Sequence, residues 1–163
     1  MTMERLIADA ERLIDACRRA GYTLALAESC TGGLIAAVLT EIAGASDVVE
    51  RGFVTYSNRA KETLLGVPHA LIEKHGAVSD EVARAMAEGA LAAAPVDLTV
   101  AVTGIAGPGG GSVEKPVGLV HIAVAARHQA TRHERHLFGP GDRHAIRLAT
   151  VAAALRLLAE ALP

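Results

Sequence analysis

A serine followed by two glycines is the first feature of this chain that could carry chemistry. Ser29 lies in the segment AESCTGG (residues 27–33), where an apolar stretch typical of a strand gives way to a polar turn and a helix. A helix N-terminus offers unpaired N–H groups, which suit a phosphate or a developing oxyanion. Gly32 and Gly33 cost stability in a first helical turn, which favours close approach of a ligand. An ordinary cap made by Ser29 or Thr31 would give a similar pattern.

Cys30 is the alternative nucleophile in the same segment. A thiol at a helix N-terminus is activated towards the thiolate. Cysteine is also among the most buried residue types, and adjacent side chains point in different directions. We therefore prefer Ser29 as the nucleophile.

Lys61 is the candidate base for that serine. It follows the segment GFVTYSN (residues 52–58), in which Tyr56 lies at the end of a predicted strand. A lysine acts as a base only when it is neutral, and a pKa lowered from about 10.4 to about 7 corresponds to ~4–5 kcal/mol. Burial can produce a shift of that size, and a neighbouring cation such as Arg59 or Arg143 would add to it. The alternative is a solvated surface lysine.

A glycine-rich segment, TGIAGPGGGS (residues 103–112), follows a β-branched stretch typical of a buried strand. It matches neither a Walker loop nor a dinucleotide fingerprint. Glycines allow backbone N–H groups to approach an anion, so Thr103, Gly104 and Gly107 are candidate binding residues. A flexible connection is the alternative. The segment leaves the same predicted end of the sheet as Ser29, which favours a functional role.

The last helix is predicted to begin at the sequence Gly-Asp-Arg (residues 141–143), with Asp142 as its N-cap. Arg143 could bind a phosphate or a carboxylate through two parallel hydrogen bonds, or it could be a solvated surface residue. The seven histidines are scattered and lack the spacing of zinc ligands, so we predict no metal site.

The elements that must position these residues alternate between helices and strands. Apolar periodicity and turn residues predict helices at 4–19 (ended by Gly21), 31–40, 58–65 (N-cap Asn58), 69–75, 79–93 (N-cap Ser79) and 142–162. Strands are predicted at 23–27, 52–57, 97–103, 117–125 and 131–138, the last two as a hairpin with the fifth at the edge. This order predicts an α/β fold, a single-domain three-layer sandwich over residues 1–163 with a mixed β-sheet and helices on both faces.

Composition narrows the functional classes. The chain has 163 residues, 51% of them hydrophobic and 21% charged, which indicates one folded domain. A net charge of −2 and 2% aromatic residues argue against nucleic acid as a partner. Two cysteines, no apolar run long enough for a membrane span and no signal-peptide pattern predict a cytoplasmic protein without a membrane partner. The alanine-rich surface is compatible with a homodimer or a higher homo-oligomer.

Four segments together resemble the CinA C-terminal domain family, over about residues 4 to 160. They are AESCTGG (27–33), GFVTYSN with Lys61 (52–61), HGAVS (75–79) and GIAGPGGGSVEKPVG (104–118). The enzymatic members of this family are nicotinamide-nucleotide amidases, also called NMN deamidases. The resemblance implies hydrolysis of the carboxamide of nicotinamide mononucleotide to nicotinate mononucleotide and ammonia, a step of NAD recycling. It also implies a stand-alone domain, without the larger N-terminal domain of two-domain members and its linked pyrophosphatase activity.

The resemblance implies a role for each site residue. Ser29 would be the nucleophile and Lys61 its general base, with Tyr56 beside them, and Thr103 and Arg143 would line the substrate site. N–H groups near Thr31, Gly32 and Gly33 would meet the oxyanion, and the nucleotide phosphate would lie on residues 104–112 or against Arg143. The scheme needs no metal and no cofactor.

Two other functions remain open on the sequence alone. Glycine loops and helix N-termini bind phosphate whether or not chemistry follows, so a non-catalytic nucleotide-binding or regulatory module fits the same residues. A hydrolase of another small amide fits them too. Ammonia release from nicotinamide mononucleotide distinguishes the nicotinamide-nucleotide amidase from these two alternatives.

Overall fold

A five-stranded mixed β-sheet forms the centre of the molecule, and the computed structural model describes residues 1–139 and 141–163. The strands are β1 (Leu24–Glu28), β2 (Val49–Val54), β3 (Leu98–Gly104), β4 (Leu119–Ala126) and β5 (Arg132–Leu137). They lie in the order β2-β1-β3-β4-β5. The first three are parallel to one another, and β4 and β5 are antiparallel to their neighbours. The predicted mixed sheet, its terminal hairpin and the edge position of the fifth strand are confirmed.

Helices cover both faces of the sheet, which confirms the three-layer α/β sandwich. They are α1 (Met3–Ala20), α2 (Leu34–Thr40), α3 (Asn58–Leu65), α4 (His69–His75), α5 (Asp80–Ala93) and α6 (Arg143–Glu160). On one face α1, α2 and α6 pack on large side chains such as Leu26, Val100 and Ile122. On the other face α3, α4 and α5 pack on small ones such as Ala27 and Ala101, which allows close approach. None of the helices in the described ranges has the length and apolar character needed to span a bilayer.

The element boundaries differ from the prediction near the strand ends. The second strand begins at Val49 rather than at residue 52. The prediction missed its first residues because exposed charged side chains at this sheet edge hide the apolar pattern. The second helix begins at Leu34 rather than at residue 31, since Gly32 and Gly33 have φ values of +59° and +96°. Ser57, not Asn58, caps α3: its Oγ accepts a hydrogen bond from the N–H of Ala60. The caps predicted at Gly21, Ser79 and Asp142 are confirmed.

A close helix crossing fixes the position of α3. Gly89 of α5 lies directly against the end of α3, where a Cβ atom at residue 89 would stand 1.9 Å from the carbonyl oxygen of Leu65. Leu65 lies one turn after Lys61 on the same helix, and both side chains are buried. The absence of a side chain at Gly89 therefore sets how closely the helix that carries Lys61 approaches the sheet.

We expect Gly89→Ala to destabilise the fold by ~1–3 kcal/mol, because the added methyl group overlaps the backbone of α3. This loss outweighs the ~1 kcal/mol that alanine gains over glycine in a helix interior. The measurement is urea unfolding. The matched control is Gly109→Ala, since a Cβ at Gly109 meets nothing within 4 Å. Equal or greater stability of Gly89→Ala relative to the wild type would refute this packing argument.

Candidate active site

The three parallel strands bring their carboxyl ends to one edge of the sheet, where ligands bind in open α/β folds. Ser29 follows β1 directly, and its N–H donates to the carbonyl of Val102 in β3 at 3.1 Å. Thr55 follows β2, and its N–H donates to the carbonyl of Glu28 at 2.8 Å. Thr103 lies near the end of β3. Backbone hydrogen bonds therefore hold Ser29 between its two neighbouring strands.

Lys61 meets Ser29 across this edge. Its Nζ lies 3.0 Å from the Oγ of Ser29 and donates to the carbonyl oxygen of Thr55 at 2.8 Å. The lysine is 1% exposed and the serine 9% exposed. Among the described residues, no carboxylate forms an ion pair with this amine. The two groups are thus within hydrogen-bonding distance, and both side chains are largely shielded from solvent.

Burial lowers the pKa of Lys61 below its ordinary value of 10.5, and the Cys30 thiol acts in the opposite direction. The neutral amine is therefore more populated than in a surface lysine. Arg59 or Arg143 was predicted to assist as a neighbouring cation, but burial is the main cause of the lowered pKa. Arg143 instead uses its guanidinium for other partners, donating to the carbonyl of Gly107 at 2.8 Å and to the hydroxyl of Tyr56 at 2.6 Å.

Cys30 lies next to the serine but is poorly suited to act as a nucleophile. Its side chain is buried, and burial raises the pKa of its thiol to about 12. The reactive species of cysteine is the thiolate, which is scarce at neutral pH with such a pKa. The preference for Ser29 over Cys30 agrees with this environment.

A cavity of about 240 Å³ opens over the serine–lysine pair. Its wall combines residues from the three strand ends, from the turn before α5 and from the first turns of α3 and α6: Ser29, Cys30, Tyr56, Asn58, Lys61, Ala77, Val78, Thr103, Gly104, Ala106 and Arg143. Six of the ten candidate residues are in this group. Thr31, Gly32, Gly33 and Gly107 are not, although Gly107 contacts Arg143 through its carbonyl.

The N–H groups of Gly32 and Gly33 are already bonded within the chain, the second of them to Glu28. Its buried carboxylate accepts hydrogen bonds from the N–H groups of Gly33, Ile35 and Ala36 at 2.9 to 3.0 Å. The N–H of Gly32 donates to the carbonyl of Ser29 at 3.0 Å. The expectation that Gly32 and Gly33 present their N–H groups to an oxyanion is therefore wrong for this structure, because both groups are already bonded.

The part of the wall formed by Ala77 and Val78 was not predicted from residue types as part of the site. Thr103 donates from its Oγ1 to the carbonyl of Ala77 at 2.8 Å, which fixes the segment that contributes Ala77 and Val78 to the cavity. Lys115, which lies three residues after the glycine-rich segment, donates to the carbonyl of His75 at 2.5 Å and so connects that part of the chain to the same wall. The sequence marked residues 75–79 only through the family resemblance, since backbone carbonyls leave no signature in residue types.

Tyr56 and Arg143 form the mouth of the cavity. Tyr56 is 61% exposed, and its hydroxyl oxygen accepts the hydrogen bond from Arg143. The proton of that hydroxyl stays available for donation. The mouth thus offers one cation and one neutral donor to whatever enters.

The fold and the site place the chain in a definite class: single-sheet α/β proteins with a buried serine–lysine pair at the carboxyl ends of their parallel strands. Within that class, the chain belongs to the CinA C-terminal domain family, whose model matches residues 7–162.

Proteins of known sequence and structure agree with this membership. A CinA-like protein of Geobacter sp. (strain M21) is 55% identical over 148 residues, which are 91% of this chain and 35% of the relative. This chain thus spans about a third of the length of the curated relatives it matches. The competence/damage inducible protein CihA from Agrobacterium tumefaciens has a TM-score of 0.92 and 53% identity, with 94% of this chain and 93% of that chain covered. The competence damage-inducible protein A (ComA) from Klebsiella pneumoniae subsp. pneumoniae MGH 78578 has a TM-score of 0.89 and 37% identity, with coverages of 99% and 98%.

Proposed function

We propose that this chain is an amide hydrolase that converts nicotinamide mononucleotide to nicotinate mononucleotide and ammonia. One observation carries the proposal: the amine of Lys61 lies 3.0 Å from the hydroxyl of Ser29 while being 1% exposed. A hydroxyl next to a neutral amine is an activated nucleophile. The choice of substrate rests on the resemblance to the amidases of the CinA C-terminal domain family.

The first half of the reaction forms an acyl-enzyme. The Oγ of Ser29 attacks the carboxamide carbon while Lys61 takes the hydroxyl proton. The tetrahedral intermediate then collapses, the C–N bond breaks, and the nitrogen leaves as ammonia after receiving a proton from the Lys61 ammonium. The proton passes either directly or through Tyr56, whose hydroxyl gives its proton to the nitrogen and regains one from Lys61, so Lys61 is neutral again. The Tyr56 hydroxyl is suited to this donation because Arg143 occupies its oxygen and leaves its proton free.

The second half releases the acid. A water molecule attacks the ester carbon, Lys61 accepts a proton from the water, and the Ser29 oxygen leaves with that proton. Both residues return to their starting protonation states, and the carboxylic acid that is released loses its proton to solvent to give the carboxylate. None of these steps requires a metal ion or a cofactor.

The size and charge of the cavity support a substrate whose reactive end is a small ring. Its volume of about 240 Å³ is below the ~300–1,000 Å³ typical of pockets for drug-sized ligands. A pyridine carboxamide would therefore occupy the cavity while the ribose and phosphate remain at the mouth. Arg143, which is exposed there, is the cation that would meet the phosphate.

The test is incubation of the protein with nicotinamide mononucleotide, with ammonia measured enzymatically and nicotinate mononucleotide by mass spectrometry. We expect stoichiometric formation of both products. Free nicotinamide should be a poorer substrate, because binding energy from the missing nucleotide no longer contributes to the transition state. Tight nucleotide binding without ammonia would instead indicate the non-catalytic module, and turnover of other amides alone would indicate a different substrate.

A further inference from the structure

The loop that carries Ser29 has little regular structure of its own. Residues 29–33 form turns between β1 and α2, and two of them are glycines in the left-handed region, with φ values of +59° for Gly32 and +96° for Gly33. Glycine has the widest choice of backbone conformations, so such a loop does not hold a side chain precisely without external contacts. Contacts from the rest of the molecule must therefore fix the direction of the Ser29 hydroxyl.

One of these contacts comes from inside the fold. The buried carboxylate of Glu28 binds three N–H groups from Gly33 to Ala36 and so fixes the end of the loop that enters α2. These three bonds do not involve Thr31, in the middle of the loop. Thr31 is completely buried, and its carbonyl accepts two hydrogen bonds, one from the N–H of Leu34 at 3.2 Å and one from the other side of the loop.

Arg147 supplies the contact from that other side. Its Nη2 donates to the carbonyl oxygen of Thr31 at 2.6 Å, joining α6 to the loop across 116 positions of the chain. The same guanidinium nitrogen lies 4.0 Å from where a Cβ of Gly32 would be. The positive charge of Arg147 also acts on the loop, since it lowers the pKa of Cys30 against the larger opposing effect of burial.

Arg147 lies one helical turn after Arg143, so both side chains project from the same face of α6. Arg143 holds Tyr56 and the Gly107 carbonyl at the mouth, and Arg147 holds the nucleophile loop. One helix face therefore aligns the two sides of the cavity with each other.

We propose that Arg147 is a positioning residue for Ser29: its bond to the Thr31 carbonyl holds the nucleophile loop in the reactive geometry. This inference rests on the proposed function of Ser29 and adds a residue to it. Misplacement of a reacting group by about 1 Å can cost ~100-fold in rate. Loss of the Arg147 contact should therefore lower kcat and leave KM nearly unchanged, because Arg147 does not line the cavity.

The experiment measures the reactivity of Ser29 with a fluorophosphonate, which attaches to activated serine hydroxyls with loss of fluoride and needs no knowledge of the substrate. Intact-mass spectrometry follows the labelling rate, with Ser29→Ala as the blank. We expect Arg147→Met to slow labelling and to lower kcat by about 10-fold or more. Arg147→Lys should recover part of both rates, since its ammonium retains a donor and the charge. Arg147→Gln is the second variant should the methionine variant fail to fold.

The matched control is Arg127→Met. Arg127 also donates to backbone carbonyls, those of Val96 and Ala94, but it follows β4 at the opposite end of the sheet. We expect it to lower the melting temperature without slowing the labelling of Ser29. Wild-type labelling rates in Arg147→Met, or equal slowing in Arg127→Met, would remove the role of Arg147 and leave the proposed function intact. Failure of the wild-type Ser29 to react would contradict the proposed function itself, and the role of Arg147 with it.

Discussion

Replacing Ser29 by alanine is expected to abolish ammonia release from nicotinamide mononucleotide, with kcat reduced by ~10⁴-fold or more. The variant retains the cavity and Lys61 but has no oxygen to form the acyl-enzyme. Its fold should persist, since losing one hydroxyl bond costs only about 1 kcal/mol. The measurements are the rate of ammonia formation and the thermal unfolding curve of the same preparation.

The control for Ser29→Ala is Ser46→Ala, because Ser46 is exposed and lies in the short turn Ala45–Asp47, away from the cavity. It should match the wild type in both activity and stability. Normal turnover by Ser29→Ala would exclude the serine as nucleophile. Turnover that then disappears in a Cys30→Ala variant would assign the chemistry to the neighbouring thiol.

Replacing Lys61 by methionine is expected to lower kcat by ~10²–10⁴-fold, the usual contribution of a general base. Methionine has nearly the same length and fills the buried space without an amine. Its stability should be close to that of the wild type, because the loss of two hydrogen bonds is offset by no longer burying a basic group. Ammonia assays and urea unfolding measure the two effects.

The pH dependence of the catalytic activity and of the free energy of unfolding follows from the lowered pKa of Lys61. Because the neutral amine is the base, kcat/KM should fall as the pH falls through the pKa of the folded protein. Between the pKa of Lys61 in the folded protein and its ordinary value of 10.5, the unfolded chain binds more protons than the folded protein. In this pH range the free energy of unfolding of the wild type should therefore rise with pH when compared with that of Lys61→Met.

Lys74→Met is the matched control, since Lys74 is exposed on α4. It should retain full activity and the wild-type pH profile. An active Lys61→Met variant, or a wild-type stability advantage that falls with rising pH, would contradict the assignment of Lys61 as a neutral base.

Much of the architecture could be predicted because local signals and burial agree. The alternation of apolar segments with capped helices predicts the α/β order, and Ser79 and Asp142 mark helix starts that the structure confirms. The failures lie where tertiary contacts override local pattern. The exposed charged residues of β2 hide its first half, and the glycines after Ser29 form turns rather than a first helical turn.

The site was predictable as far as reactive residue types reveal it. Ser29, Lys61 and Arg143 stand out by their chemistry and their places at element ends, and the structure brings all three to one cavity. Glu28 and Arg147 were missed because they act on backbone groups, and hydrogen bonds to carbonyl and N–H groups require no special residue type on the other side. The spacing of Arg147 from Arg143 on one helix was the only signal available.

The most direct test of the central idea is a pH titration of the lysine amines by ¹³C,¹⁵N NMR. The chain has three lysines, Lys61, Lys74 and Lys115, so the three amine signals can be separated. The signal that is absent from the spectrum of Lys61→Met is that of Lys61. We expect the Lys61 amine to lose its proton at a pH below 10.5, in step with the rise of kcat/KM. A Lys61 amine that stays charged up to 10.5 or beyond would contradict its role as the base that activates Ser29.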